Sequence, residues 1–155
     1  MAAVKHVANM VEALVCLGAK GVRSNHRAQE SWHPPEEGWV KVNSDGTFEV
    51  RTRNGSGVAV VRDHLGQVQA AQARWQGQVD DALMVEALAA RDGLELAHEL
   101  GYTQVILEMD NSTLVNALKV TMADRSRIAG LWHDIRELDL FLHFKCVGFD
   151  WRRIT

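Results

Sequence analysis

A chain of 155 residues, 46% hydrophobic and 24% charged, is long enough for one globular domain with an ordinary core, and its balanced composition excludes a disordered or fibrous chain. A formal net charge of −3 gives no global field for a polyanion, so nucleic-acid binding would have to use a local basic patch or bound cations. No apolar run reaches the length of a membrane span. Cys16 and Cys146 form no Cys-x-x-Cys pair, which points to reduced thiols in an intracellular protein, nuclear or cytoplasmic.

Residues 3–18 place Val4, Val7, Val11, Leu14 and Gly18 at steps of three and four, the stripe of an amphipathic helix, with Gly18 and Gly21 to end it. Such a helix packs on its own domain, or pairs with a second copy or a protein partner; the pattern leaves both open. Residues 10–19 are apolar enough for a signal core, but Glu12 interrupts them and no small-residue cleavage site follows. Residues 20–38 are polar, and Pro34 and Pro35 forbid helix and stiffen the approach to the first strand. The expected organisation is an appended helix and linker over residues 1–31 and a globular domain over residues 32–155, with regular structure starting near Trp39.

Residues 39–47 alternate as a half-buried strand does. Val40, Val42 and Ser44 point one way, and Lys41, Asn43 and Asp45 the other. Gly46 follows Asp45 and permits a sharp turn or a close approach. Residues 49–56 read as a polar loop, 57–63 as a second strand and 68–75 as a third, joined through a turn at Gly66 into an antiparallel meander. Arg51, Arg53, Arg62 and Arg74, with Trp75, would give that meander either a modest positive face or merely solvated charges.

From residue 81 to 101 the period becomes helical: Ala82, Ala89, Gly93, Ala97 and Leu100 lie on one stripe, Asp80 and Asp81 suit its start, and Gly101 its end. The stripe runs straight through Glu86. A carboxylate on a packing face needs a donor, a cation or a metal. Residues 105–110 form an almost continuous apolar run between helices, the mark of a parallel strand, and end on Asp110, where open α/β sheets bind ligands. Asn111 and Ser112 then cap a helix over 113–120. A further helix spans 124–141, with Ile128, Leu131, Ile135 and Leu138 at its spacing, and residues 143–151 make a last strand.

Asp45, Glu86 and Asp110 each have an ordinary explanation: a turn, a satisfied core glutamate and a helix cap. Together, at strand ends and on a facing helix, they are the oxygen ligands that Mg²⁺ takes. Two such ions about 3.5–4 Å apart can activate a water and stabilise a leaving oxygen. The seven histidines show no zinc spacing, and neither a glycine-rich phosphate loop nor a Gly-x-Ser-x-Gly elbow is present.

Lys41-Val-Asn-Ser-Asp-Gly-Thr47, Gly57-Val-Ala-Val-Val-Arg-Asp63, Val85-Glu-Ala-Leu-Ala-Ala90 with Gly93-Leu94, and residues 105–110 together resemble the ribonuclease H domain, in particular its plant retrotransposon-type, reverse-transcriptase-associated branch. Trp32-His-Pro-Pro35 is similar to the linker that precedes that branch, and the likeness covers residues 32–153. It implies an α/β fold with a mixed five-stranded sheet of order 3-2-1-4-5 and helices on both faces. It also implies hydrolysis of the RNA strand of RNA–DNA hybrids, with Asp45, Glu86 and Asp110 holding Mg²⁺ or Mn²⁺. Gly46 and the loop around Ser56 and Gly57 would approach the hybrid backbone, with Asn111 beside them as a substrate contact.

The departures from that pattern are specific. Arg153 matches an arginine that normally leads into a C-terminal helix bearing a fourth aspartate, and the sequence ends two residues later, so the helix is expected to be missing and the domain truncated. Asp150 falls where this branch often has a histidine and is not a fourth ligand. Ala82, Leu83 and Met84 replace polar residues that often touch substrate in cellular enzymes, and a basic protruding helix is absent. These departures carry the alternative: a catalytically weak or silent module that binds nucleic acid or a protein partner, through the N-terminal helix or an uncovered sheet face.

Overall fold

A computed structural model describes residues 32–119 and 127–148. The N-terminal helix expected at 3–18, and the terminal residues that include Asp150 and Arg153, lie outside the described residues. Strands β1 (Val40–Glu49), β2 (Asn54–Arg62) and β3 (Val68–Gln76) lead into helix α1 (Ala82–Glu99). Then come β4 (Gln104–Met109), α2 (Ser112–Lys119), α3 (Ala129–Glu137), a 3₁₀ turn (Leu138–Leu140) and β5 (His143–Gly148). The sheet order is β3-β2-β1-β4-β5, with the first three strands antiparallel and β4 and β5 running parallel to β1. This is the expected mixed sheet. Among the described residues no helix is long and apolar enough to cross a membrane.

Two boundaries differ from the sequence reading. Half of the polar stretch 49–56 is strand, because the hairpin pairs Thr47 with Ser56 and Glu49 with Asn54, and the turn shrinks to residues 50–53 with Arg53 at φ 52°. Polarity marks exposure, whereas a hairpin edge is held by backbone pairing that polarity does not report. Of the helix expected over 124–141, residues 124–126 lie outside the described residues, and the described part is regular α-helix from Ala129 to Glu137. The chain then tightens as the amides of Phe141 and Leu142 both donate to the Leu138 carbonyl, at 2.9 and 2.7 Å, which turns Leu142 into the core and leaves Leu140 80% exposed.

Helix α1 packs its small-residue stripe on the sheet. Asp81 caps it, its side chain accepting from the Met84 amide at 2.9 Å. At Gly93 a Cβ would lie 2.6 Å from Val42 Cγ1 and 3.0 Å from Ala59 Cβ, so the close approach depends on glycine. Val42 is fully buried on a strand and stiff about χ1, so it cannot swing aside. Gly93→Ala gains about 1 kcal/mol of helix propensity and loses about 1–3 kcal/mol to overpacking, so net destabilisation is the expected outcome in urea titration. The core around this contact joins Val42, Val61 and Leu107 of the sheet to Leu114 and Leu118 of α2 and Ile135 of α3. The three described helices therefore share one face of the sheet.

The other face is polar at the end where β1 begins. Glu108 of β4 is 4% exposed and fully partnered. Its Oε1 pairs with Lys41 Nζ at 2.9 Å, and its Oε2 accepts from Asn43 Nδ2 at 2.5 Å and Trp32 Nε1 at 2.9 Å. The Trp32 ring lies under Lys41 and Arg62, at 5.0 and 5.4 Å from its centre. Arg62, read from sequence as part of an exposed positive face, is 3% exposed, because its register partner is Lys41 and both turn toward Glu108. Trp32→Phe keeps most of the ring contacts but removes a hydrogen bond to a buried carboxylate, an expected loss of about 1–2 kcal/mol by thermal or chemical unfolding.

Candidate metal centre

The site arises where two parallel strands part. Strand β4 pairs with β1 only as far as Asn43 with Glu108, while β1 continues along β2 to Glu49. Asp45 lies on β1 just beyond that point and Asp110 directly after the end of β4, facing each other across the opening. Glu86 enters from the second turn of α1. Gly46 makes that possible, since a Cβ there would sit 3.1 Å from the Glu86 backbone nitrogen and from Val85 Cγ1. One ligand oxygen from each of Asp45, Glu86 and Asp110 lies within 4.8 Å of the others.

The three carboxylates differ in burial: Glu86 is 9% exposed, Asp45 half-buried and Asp110 exposed. The Gly46 amide donates to Asp45 Oδ1 at 2.8 Å and fixes that side chain. Burial, reinforced by the charges of Asp45 and Asp110 and opposed by the Gly46 amide, pushes the Glu86 carboxyl up to about 8. Glu86 Oε2 is buried with no hydrogen-bond partner. Glu108 is the internal comparison: equally buried, it has Lys41, Asn43 and Trp32, whereas Glu86 has two more acids beside it.

An orphaned buried carboxylate oxygen on a residue clustered with two other carboxylates fits a hard divalent cation, which takes oxygen ligands and removes the repulsion. Opposite oxygens on Mg²⁺ lie about 4.2 Å apart, so the cluster is already close to the spacing one ion imposes. Asp45, Glu86 and Asp110 are the residues able to hold it.

The other residues singled out from sequence fall differently. Ser56 and Gly57 are not in a loop but inside β2, opposite Thr47 and Gly46. Ser56 is 5% exposed, and a Cβ on Gly57 would come within 2.9 Å of Ala89 Cβ, so helix packing accounts for that glycine. Asn111 caps α2, its Oδ1 accepting from the Leu114 amide at 3.0 Å, immediately beside Asp110. The meander arginines do not form one patch: Arg53 pairs with Asp80, Arg74 with Asp92 at 3.5 Å, and Arg62 is buried. Sequence reasoning missed the Trp32–Lys41–Asn43–Glu108 network, although one signal was available. Glu108 interrupts an apolar strand at the parity that faces Lys41 and Asn43.

The mixed sheet of this order, with three acids gathered where β1 and β4 part, is a ribonuclease H-like domain. Within that class the chain belongs to the reverse transcriptase-like family, whose model matches residues 43–153. Among solved structures the chain is similar to RNase H1 from the halophilic archaeon Halobacterium salinarum, with a TM-score of 0.67 and 16% identity over 74% of this chain and 87% of that one. It is similar also to the N-terminal RNase H domain of a Mycobacterium tuberculosis protein, with a TM-score of 0.67 and 19% identity over 74% of this chain and 89% of that one. A third likeness is to LC11-RNase H1, solved with an RNA/DNA hybrid, with a TM-score of 0.66 and 14% identity over 74% and 87% of the two chains. No curated protein matches the chain significantly. At these identities the structural neighbours speak to the fold.

Proposed function

We propose that this chain is a retroelement-derived endonuclease that hydrolyses the RNA strand of RNA–DNA hybrids with Mg²⁺ or Mn²⁺ held by Asp45, Glu86 and Asp110. The observation that carries the reading is the convergence of three carboxylate oxygens within 4.8 Å around a buried Glu86 whose Oε2 has no partner. A strained acidic cluster of this kind is a poor packing device and a good cation receptor. The hybrid seen with LC11-RNase H1, and with the foamy viral protease-reverse transcriptase, supports the choice of substrate class.

When bound, the cation supplies Lewis acidity toward the phosphodiester and a hydrolytic water. The residues of the chain do the rest. Glu86 would hold the cation from the buried side of the site, in its deprotonated form. Asp45 is held in place by the Gly46 amide. Asp110, exposed at the rim, leaves that side open to a phosphate. Gly46 keeps α1 and β1 close together, so that Glu86 and Asp45 could hold the same ion.

The test is cleavage of a labelled RNA–DNA hybrid with Mg²⁺ and then Mn²⁺, beside an Asp45→Asn variant. Cutting of the RNA strand alone, lost in the variant, is the expected result. A folded protein that binds the hybrid and cuts neither strand would replace this reading with that of a silent binding module.

A further inference from the structure

The second face of the sheet carries Val58 and Val60, whose register partners on β1 are Asp45 and Asn43. They are 1% and 0% exposed, although no described helix packs on their side. Strand side chains stand out from the sheet, so valines on a bare face keep part of their surface in water; these do not. The buried strip is narrow. On β3 the partners of Val58 and Val60, Ala73 and Ala71, are exposed, and so are His143 and Lys145 on β5. What is covered spans β2, β1 and β4, two inter-strand spacings or roughly 10 Å, which is the width of one helix.

The chain itself supplies a candidate. Trp32 sits on this same face, donating to Glu108 and lying against Lys41 and Arg62, so the polypeptide reaches the sheet from this side. Before it come residues 1–31, with the apolar stripe Val4, Val7, Val11 and Leu14. A helix over 3–18 is about 24 Å long. The connecting residues 19–31 can extend to roughly 40 Å, ample to lay it along the strip.

We propose that residues 3–18 form a helix that docks on the second face of this chain's own sheet, its valine stripe against Val58 and Val60. Because Val58 is the register partner of Asp45, the docked helix borders the acidic cluster, and the N-terminal segment belongs to the same folded unit. That assignment uses for internal packing the apolar surface that a protein partner would otherwise take.

A nitroxide on Cys16 of the full chain tests this. Cys16 lies off the valine stripe, and burial pushes the Cys146 thiol up to about 12, so the reagent goes to Cys16. The expected result is loss of the Val58 and Val60 methyl signals in NMR while those of Leu118 and Leu142, on the helical face, persist. Val7→Asp with Val11→Asp in the labelled chain restores the lost signals. Unbroadened Val58 and Val60 methyls, or broadening equal on both faces, would overturn the proposal. So would the same broadening in isotope-labelled, spin-free copies mixed with isotopically silent copies that carry the nitroxide, which would make a second copy the occupant.

Discussion

Asp45→Asn, Glu86→Gln and Asp110→Asn are each expected to lower kcat/KM for hybrid cleavage by more than about a hundredfold, since even outer-shell partners of a metal site are worth 10–100-fold and these residues are the ligands in the function we propose. The three act as one receptor, so the losses will not add, and the triple variant should be little worse than the weakest single one. Position distinguishes them. Asp110 is exposed, where water can replace a lost oxygen, so raised Mg²⁺ should recover part of the Asp110→Asn activity. Glu86 is 9% exposed, and its replacement should respond far less. Glu108→Gln is the control: it removes a buried charge from the Lys41 and Trp32 network, lowers stability, and leaves turnover of the folded fraction intact. If Glu86→Gln cleaves like the unaltered chain, the metal-centre reading is wrong.

The site was legible in the sequence for a physical reason. Glu86 stood out because a charge on a helix stripe of Ala82, Ala89 and Gly93 contradicts its surroundings, and Asp110 because it ends an apolar parallel strand. Such local contradictions survive in one dimension. The Asp81 and Asn111 caps were equally readable, since each rests on short-range pattern, whereas the sheet order, which joins β1 to the distant β4, came only through the family resemblance. What was not readable depends on partners distant in sequence. Arg62 looks like a surface arginine until its register with Lys41 places it over Trp32. Ser56 and Gly57 look like loop residues until the hairpin pairs them with Thr47 and Gly46. Glu86 and Glu108 carry the same residue type at similar burial, and only the three-dimensional list of donors tells a fully partnered carboxylate from one with an unpartnered oxygen.

That difference makes metal-free stability fall as pH rises. The Glu86 carboxyl titrates at an ordinary 4.5 in the unfolded chain and about 8 in the folded one, so between those values the folded state holds the extra proton. Stability is then fully present below about pH 4.5 and is lost as pH climbs toward 8, by on the order of 3–5 kcal/mol for a group this buried. In a chain of this size that corresponds to a fall in Tm on the order of 10 °C. Glu86→Gln removes the titrating group without changing its shape. The variant should melt near the unaltered protein at pH 5 and well above it at pH 8.5, in chelator, because its neutral amide relieves the repulsion from Asp45 and Asp110. Mg²⁺ should reverse the order at pH 8.5: it displaces the Glu86 proton, stabilises the unaltered chain by about 1.4 kcal/mol for each tenfold excess over its Kd, and does much less for Glu86→Gln. Parallel melting curves for the two proteins across this range, with and without Mg²⁺, would show that the cluster is neither strained nor a cation receptor, and calorimetric proton release on Mg²⁺ addition gives the same answer independently.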